Sequence, residues 1–165
     1  MDSLARSKAA GRLLAAYESG TPIAPLTTTY PGMTLQDACA VQLIQTHPLT
    51  AQPAPGRTVK GHKDGLTSAA MQRLLGVSEP DYGHLLDDFF HLEHAPIPLA
   101  RFLQPRVEPE VAFVLKKPLK GPGVTVHEAL RAVDFVLPAL EIVDSRIRDW
   151  TIGLYDTIAD NASSG

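Results

Sequence analysis

Cysteine is all but missing. Cys39 is the one thiol in 165 residues, which excludes an intramolecular disulfide framework. It falls in an apolar helical pattern, where a buried, inert thiol is expected. No apolar run is long enough to span a bilayer. The start, Met1-Asp-Ser-Leu-Ala-Arg-Ser-Lys8, lacks the hydrophobic stretch of a secretion signal. These two features point away from a membrane and toward the cytoplasm. An excess of positive charge is also missing. The formal net charge is -3, which gives no electrostatic reason to expect nucleic acid or an anionic membrane as partner. Neither a Gly-x-Gly-x-x-Gly nor a P-loop pattern occurs, which weighs against a nucleotide site. No Gly-x-Ser-x-Gly elbow surrounds a serine. His84, His91 and His94 follow no common zinc spacing, and no cysteine supports them.

What is present fits a soluble globular domain: 44% hydrophobic and 20% charged residues, in a chain long enough for a real core. Leu4 to Glu18 has helical spacing and is stopped by Gly20 and Pro22. A Pro- and Thr-rich link follows from Thr21 to Gly32. Thr34 with Asp37 three residues on predicts a capping box and a second helix that ends before Pro48. Thr50 to Gly56 reads as a loop. Val59 to Gly65 predicts a short strand, and Thr67 or Ser68 caps a helix closed by Gly76. Ser78 to Gly83 reads as a turn-rich loop. Leu85 to Leu92 fits either strand or loop, and Ile97 to Leu103 fits an edge strand flanked by Pro96 and Pro98. Arg106 to Lys116 and Val136 to Val143 are strands. Thr125-Val-His-Glu128 is a second capping box that opens a helix to about Val133. The polar tail from Trp150 onward looks like the entrance to another element. The order gives an α+β chain, with helices first and a strand-dominated portion after them.

The most informative residues are three glutamates in β-branched, apolar runs. Glu108 and Glu110 lie two apart on one strand and project to the same face. Glu141 lies on the other and can reach the same point from a neighbouring strand. Val107, Val111 and Phe113 mark the opposite face as the buried one. Clustered carboxylates repel each other and resist desolvation, a conflict that a hard divalent cation such as Mg²⁺ resolves. A solvated sheet face also carries glutamates, and spacing alone does not separate the two. Lys63, in Gly61-His-Lys-Asp-Gly-Leu-Thr-Ser68, can hold a carboxylate or move a proton, or be a solvated lysine. Asp81, in Pro80-Asp-Tyr-Gly83, is either an acid/base or an ordinary turn residue. Asp87 and Asp88, adjacent in sequence, read as loop or surface acids.

Several of these stretches, in order and over essentially the whole chain, resemble the 2-keto-4-pentenoate hydratases. These are also called 2-hydroxypenta-2,4-dienoate hydratases and belong to the fumarylacetoacetate hydrolase superfamily. The stretches are 61–68, 80–83, Pro105-Arg-Val-Glu-Pro-Glu-Val-Ala-Phe113, Gly121-Pro-Gly-Val-Thr125, Pro138-Ala-Leu-Glu-Ile-Val-Asp-Ser-Arg146 and Asp156-Thr-Ile-Ala-Asp-Asn-Ala-Ser-Ser164. The resemblance implies Glu108, Glu110 and Glu141 as ligands of Mg²⁺ or Mn²⁺, Lys63 as the active-site lysine and Asp81 as a loop acid. It puts Ser163 and Ser164 in the segment that approaches the substrate carboxylate. It also implies a homo-oligomer, a small 2-hydroxy-dienoate substrate, and a product that passes to an aldolase in aromatic meta-cleavage degradation.

The implied fold is an N-terminal helical portion, 1–56, and a catalytic mixed β-roll portion, 57–165, forming one structural unit. Position 64 departs from the family, with Asp where an aliphatic residue is usual. Family chains run on for a further third or more of their length, so this chain resembles a member with an incomplete C-terminal part. Low stability and weak or absent activity are expected from that. The competing expectations are the related 4-oxalocrotonate decarboxylase, which uses the same metal and head group, and a non-catalytic metal-binding remnant. Acylpyruvate-type C–C hydrolysis fits the 138–146 run less well.

Overall fold

The computed structural model describes residues 1–46 and 58–165, in two compact units, Met1–Pro105 with Val143–Gly165, and Arg106–Ile142. The loop expected at 50–56 lies outside the described residues. In the first unit the core is helical. α1 (Ser3–Ser19) starts at Asp2, whose carboxylate accepts from the Ala5 amide, and stops at Gly20, whose φ of 65° few other residues adopt cheaply. Its buried residues Ala9, Ala10, Leu13 and Ala16 recur at helical spacing on one face. Small alanines let α3 (Leu35–Thr46) approach, with Ala38 and Val41 buried against them. Leu26, on the short α2 (Leu26–Thr29), and Ile158 and Ala159, on α6 (Leu154–Ala159), complete this core with Met33 and Ile147.

Asp37 is the polar counterpart of that core. It is buried, yet its carboxylate accepts from Thr34 Oγ1 at 2.8 Å, the Thr34 amide at 3.0 Å, the Met1 ammonium at 3.0 Å and Arg6 Nε at 2.9 Å. The expected capping box is therefore real, and it also ties α1 to the start of α3. The Thr34 hydrogen bonds, helped by Arg6 and the Met1 ammonium, hold the Asp37 carboxyl well below the usual carboxylate range.

A two-stranded antiparallel sheet pairs β1 (Val59–Gly65) with β2 (Asp81–Leu86), placing Lys63 opposite Gly83 and Gly65 opposite Asp81. α4 (Ala69–Leu75) lies between them, followed by Gly76 at φ 68°. Asp81 is thus a strand residue and not the loop acid expected. Pairing with β1 satisfies the backbone of 81–86 and overrides the turn chemistry of Pro80-Asp-Tyr-Gly83. The chain leaves this strand at Leu86 for a 3₁₀ turn at Asp87–Phe89. The edge strand expected at 97–103 is likewise absent. Leu99–Arg101 is a 3₁₀ turn, and the amides of Leu103 and Gln104 donate to the buried Asp144 carboxylate instead of a neighbouring strand. The link expected at 21–32 contains α2. Cys39 is half-buried, with its sulfur 2.9 Å from the Tyr82 hydroxyl, so it is neither fully buried nor unengaged.

The second unit is a hairpin of β3 (Pro105–Leu115) and β4 (Val133–Asp144), joined through α5 (Val126–Ala132). The Lys116 amide donates to the Ala132 carbonyl at 2.8 Å, which ties the end of β3 to the start of β4. α5 opens with the expected reciprocal Thr125–Glu128 box. The hairpin's apolar residues are not sequestered: Val107, Phe113 and Leu140 are 62%, 62% and 74% exposed. The opposite face of β3 is therefore not the buried one. Alternation marked two faces correctly, but neither is covered. Among the described residues no helix is long and apolar enough to cross a membrane.

Asp37→Asn should destabilise the folded chain by about 3 kcal/mol at neutral pH, because it removes one partner from a buried charge cluster. The folded carboxyl titrates below the unfolded one, so its contribution is complete above the ordinary carboxylate range and disappears as pH falls through the lowered range. Denaturant unfolding should show the gap between wild type and variant shrinking from pH 5 toward pH 2. A pH-independent gap would contradict this.

Candidate active site and acid cluster

The acid cluster belongs to the hairpin. Glu108 and Glu110 come from one face of β3 and Glu141 from β4. One carboxylate oxygen from each lies within 4.8 Å of the others. Glu108 and Glu110 are exposed and Glu141 is half-buried. Single acids on a sheet face are ordinary, and convergence of three from two strands is what distinguishes this one. The donors are all carboxylate oxygens, the hard ligands that suit a small divalent cation and leave positions for water and substrate oxygens. The residues present fit such an ion.

Lys63 and Asp81 meet in the other unit. In the β1–β2 register, Lys63, Gly65, Gly83 and Asp81 share one face of the sheet. Two glycines leave that face bare between the lysine and the acid. Both are required by close approach. A Cβ on Gly65 would stand 2.1 Å from an Asp81 carboxylate oxygen, and one on Gly83 would stand 2.6 Å from the Asn161 carbonyl oxygen. Asp81 is buried. Asp64 is turned by strand alternation to the exposed face, while Lys63 is half-buried.

Over Gly83 lies the turn that carries the predicted serines. Asn161, Ala162 and Ser163 have φ of 53°, 52° and 52°, three left-handed residues in a row and none of them glycine. Such residues cost about 1–2 kcal/mol each, so the surroundings must hold them. Asn161 extends the sheet with its side chain, accepting from the His84 amide at 2.8 Å and donating to the His84 carbonyl at 2.9 Å. The Lys63 ammonium donates to the Ala162 carbonyl at 2.7 Å. Ser164 Oγ donates to the Asn161 carbonyl. Ser163 is buried and its Oγ has no hydrogen-bond partner among the described residues.

Arg146 braces the turn from behind. Its Nε donates to Asp160 Oδ1 at 2.5 Å, its Nη1 to the Ser164 carbonyl at 2.6 Å, and its Nη2 to the Asp160 carbonyl. Burial pushes the Asp160 carboxyl upward, and the guanidinium opposes that. On the far face of β2 the Tyr82 hydroxyl is pushed up to about 12, chiefly by its hydrogen bond to Cys39 and then by burial.

Of the residues expected from sequence, Glu108, Glu110 and Glu141 come together in one unit. In the other, Lys63 and Asp81 share a sheet face, with Ser163 and Ser164 in the turn bonded to Lys63. Gly65, Gly83, Arg146, Asp160 and Asn161 were not singled out. The signal for the glycines was available, since a lone glycine inside a strand marks close backbone approach.

No protein-family model matches the chain. It is 51% identical to a 2-keto-4-pentenoate hydratase of Paraburkholderia xenovorans (strain LB400), over 97% of this chain and 58% of that protein. It is 40% identical to a 2-hydroxypent-2,4-dienoate hydratase of Pseudomonas putida, over 100% of this chain and 73% of that protein. A solved structure of 4-oxalocrotonate decarboxylase from Pseudomonas putida G7, complexed with magnesium and adipate, superposes with a TM-score of 0.90 at 32% identity, covering 99% of this chain and 61% of the other. Fold and likeness together define a member of the fumarylacetoacetate hydrolase superfamily. The chain belongs to the 2-keto-4-pentenoate hydratase family within it. It spans between half and two thirds of the length of the first of these relatives.

Gly83→Ala should lower stability by about 1–3 kcal/mol, because the turn must move away from the new methyl group. Gly11→Ala, in the middle of α1 with nothing within 4 Å of its Cβ, should raise it by about 0.5–1 kcal/mol. Thermal melting of both variants checks the contrast. Equal effects would show that the approach over Gly83 is not tight.

Proposed function

We propose that the chain carries the catalytic groups of a metal-dependent hydro-lyase that adds water to 2-hydroxypenta-2,4-dienoate, giving 4-hydroxy-2-oxopentanoate. The observation that carries this is the convergence of Glu108, Glu110 and Glu141 in a chain half identical to a hydratase. These three would hold Mg²⁺ or Mn²⁺, since both accept an all-oxygen donor set. When bound, such an ion supplies Lewis acidity toward the substrate's 2-oxygen.

The chain's own groups supply the proton movements. Ketonisation of the dienol moves a proton from the 2-hydroxyl to C5, and hydration then requires a proton to leave the water that attacks C4 while C3 gains one. Lys63 and Asp81, on one sheet face with no side chain between them, are the acid and base for these transfers. The Lys63 ammonium is oriented by the Ala162 carbonyl. Ser163, with its buried and unpartnered hydroxyl, and Ser164 would meet the substrate carboxylate.

The rival reading, decarboxylation of 4-oxalocrotonate, is favoured by the structural likeness at a TM-score of 0.90, against higher identity to the hydratases. The remaining parts of the proposal are a cytoplasmic location, a homo-oligomer and a downstream aldolase that cleaves the 4-hydroxy-2-oxo product. Exposed Val107, Phe113 and Leu140 support association with further chain.

Folded protein with Mg²⁺ should consume the dienoate, followed by loss of its ultraviolet absorbance, and chelation should stop it. Lys63→Met should lower kcat by about 10²–10⁴-fold. No metal-dependent loss of absorbance in a folded sample would count against catalysis by this chain and favour the non-catalytic metal-binding remnant. Release of CO₂ from 4-oxalocrotonate, with the dienoate untouched, would establish the rival.

A further inference from the structure

We propose that Arg146 is the positioning residue for the lysine side of the site, acting through the left-handed turn at 161–163. Each of its three nitrogens donates a hydrogen bond within the protein. Nε and Nη2 both go to Asp160, to its carboxylate and its carbonyl, and Nη1 goes to the Ser164 carbonyl. The guanidinium therefore grips the residue before the turn and the residue after it. Between those two points the backbone runs through three non-glycine residues at positive φ. Such a backbone persists only when its ends are held. Asp160 is held from its other side too, accepting from Ser145 Oγ and the Arg146 amide. Tyr17 covers the guanidinium, with its ring centroid 5.9 Å from Cζ.

What the turn presents is specific. Its central carbonyl, Ala162, receives the Lys63 ammonium at 2.7 Å, and the next residue presents the unpartnered Ser163 hydroxyl. Arg146 touches neither Lys63 nor any reacting atom and acts at one remove. A lysine at 146 would keep the charge opposite Asp160. It is a point charge on a flexible stem and cannot span three acceptors in a fixed fork. The geometric link stands on contacts alone, and only the role of Lys63 in proton transfer rests on the hydratase reading.

The test is trace acetylation of the folded protein with acetic anhydride, read lysine by lysine by peptide mass spectrometry. Arg146→Lys should raise the labelling rate of Lys63 about fivefold or more, while Lys60, exposed on the same strand, keeps its wild-type rate. Tyr17→Leu should move Lys63 in the same direction by less. An unchanged Lys63 rate in folded Arg146→Lys overturns the proposal. If that variant does not fold, Tyr17→Leu decides, and an unchanged rate there overturns it equally. In the dienoate assay the loss in Arg146→Lys should fall on kcat more than on KM. Labelling that shifts in a protein inactive toward the dienoate leaves the positioning role intact and counts against the hydratase reading alone.

Discussion

Arg146 and Asp160 are both buried, and taking two ions out of water is costly unless every donor and acceptor finds a partner. Here every guanidinium nitrogen and both Asp160 carboxylate oxygens have partners, and the consequence reaches well beyond the pair. The stretch from Asp144 to Ser164 is rich in buried polar residues, and its acids act as fasteners for remote backbone. Asp144 takes the Leu103 and Gln104 amides, and Asp156 takes the Thr27 amide and hydroxyl. Asp37 does the same for the Met1 ammonium. The hydrophobic core of alanines, Leu13, Val41 and Ile158 is small. Satisfied carboxylates therefore fix α1 to the start of α3 and α2 to α6, and the Gln42 and Asn161 amides tie β2 to the same core, where apolar burial so modest would leave them loose.

The hairpin obeys different physics. Few of its residues are buried, and its apolar side chains meet water on both faces. Such a surface is normally covered by more sheet or by another subunit. Its acids converge with two of the three exposed, and water and a bound divalent ion both relieve the repulsion among such carboxylates. Lys63 and Asp81 lie on a glycine-floored sheet face in one unit, and the three glutamates converge in the other.

Local signals were the legible ones. The Thr34–Asp37 and Thr125–Glu128 boxes, the stop at Gly20, and the strands bearing Glu108, Glu110 and Glu141 all follow from residues within a few positions of each other. What escaped depends on partners far along the chain. Pro80-Asp-Tyr-Gly83 has turn chemistry, yet β1 recruits Asp81 onward into a strand. Residues 97–103, with Pro96 and Pro98, fit an edge strand, but the Leu103 and Gln104 amides are claimed by an aspartate some forty residues away. The tail after Trp150 reads as polar and as the entrance to another element. Asp156, Asp160 and Asn161 are buried as fasteners, a role that composition does not reveal. Alternation along β3 identified two faces but not what covers them, since coverage is a tertiary property. The resemblance to the hydratases singled out Lys63, Asp81 and the glutamates. It left the brace behind the serine turn unmarked.

The central claim is that the convergence of Glu108, Glu110 and Glu141 is a cation site. Calorimetric titration of the chain with Mg²⁺ tests it most directly, beside a Glu110→Gln variant of matched thermal stability. The account predicts one ion bound per chain, with affinity reduced at least about tenfold in the variant, as loss of one of three charged ligands implies. No uptake by the wild-type chain, or uptake that Glu110→Gln leaves unchanged, would contradict it.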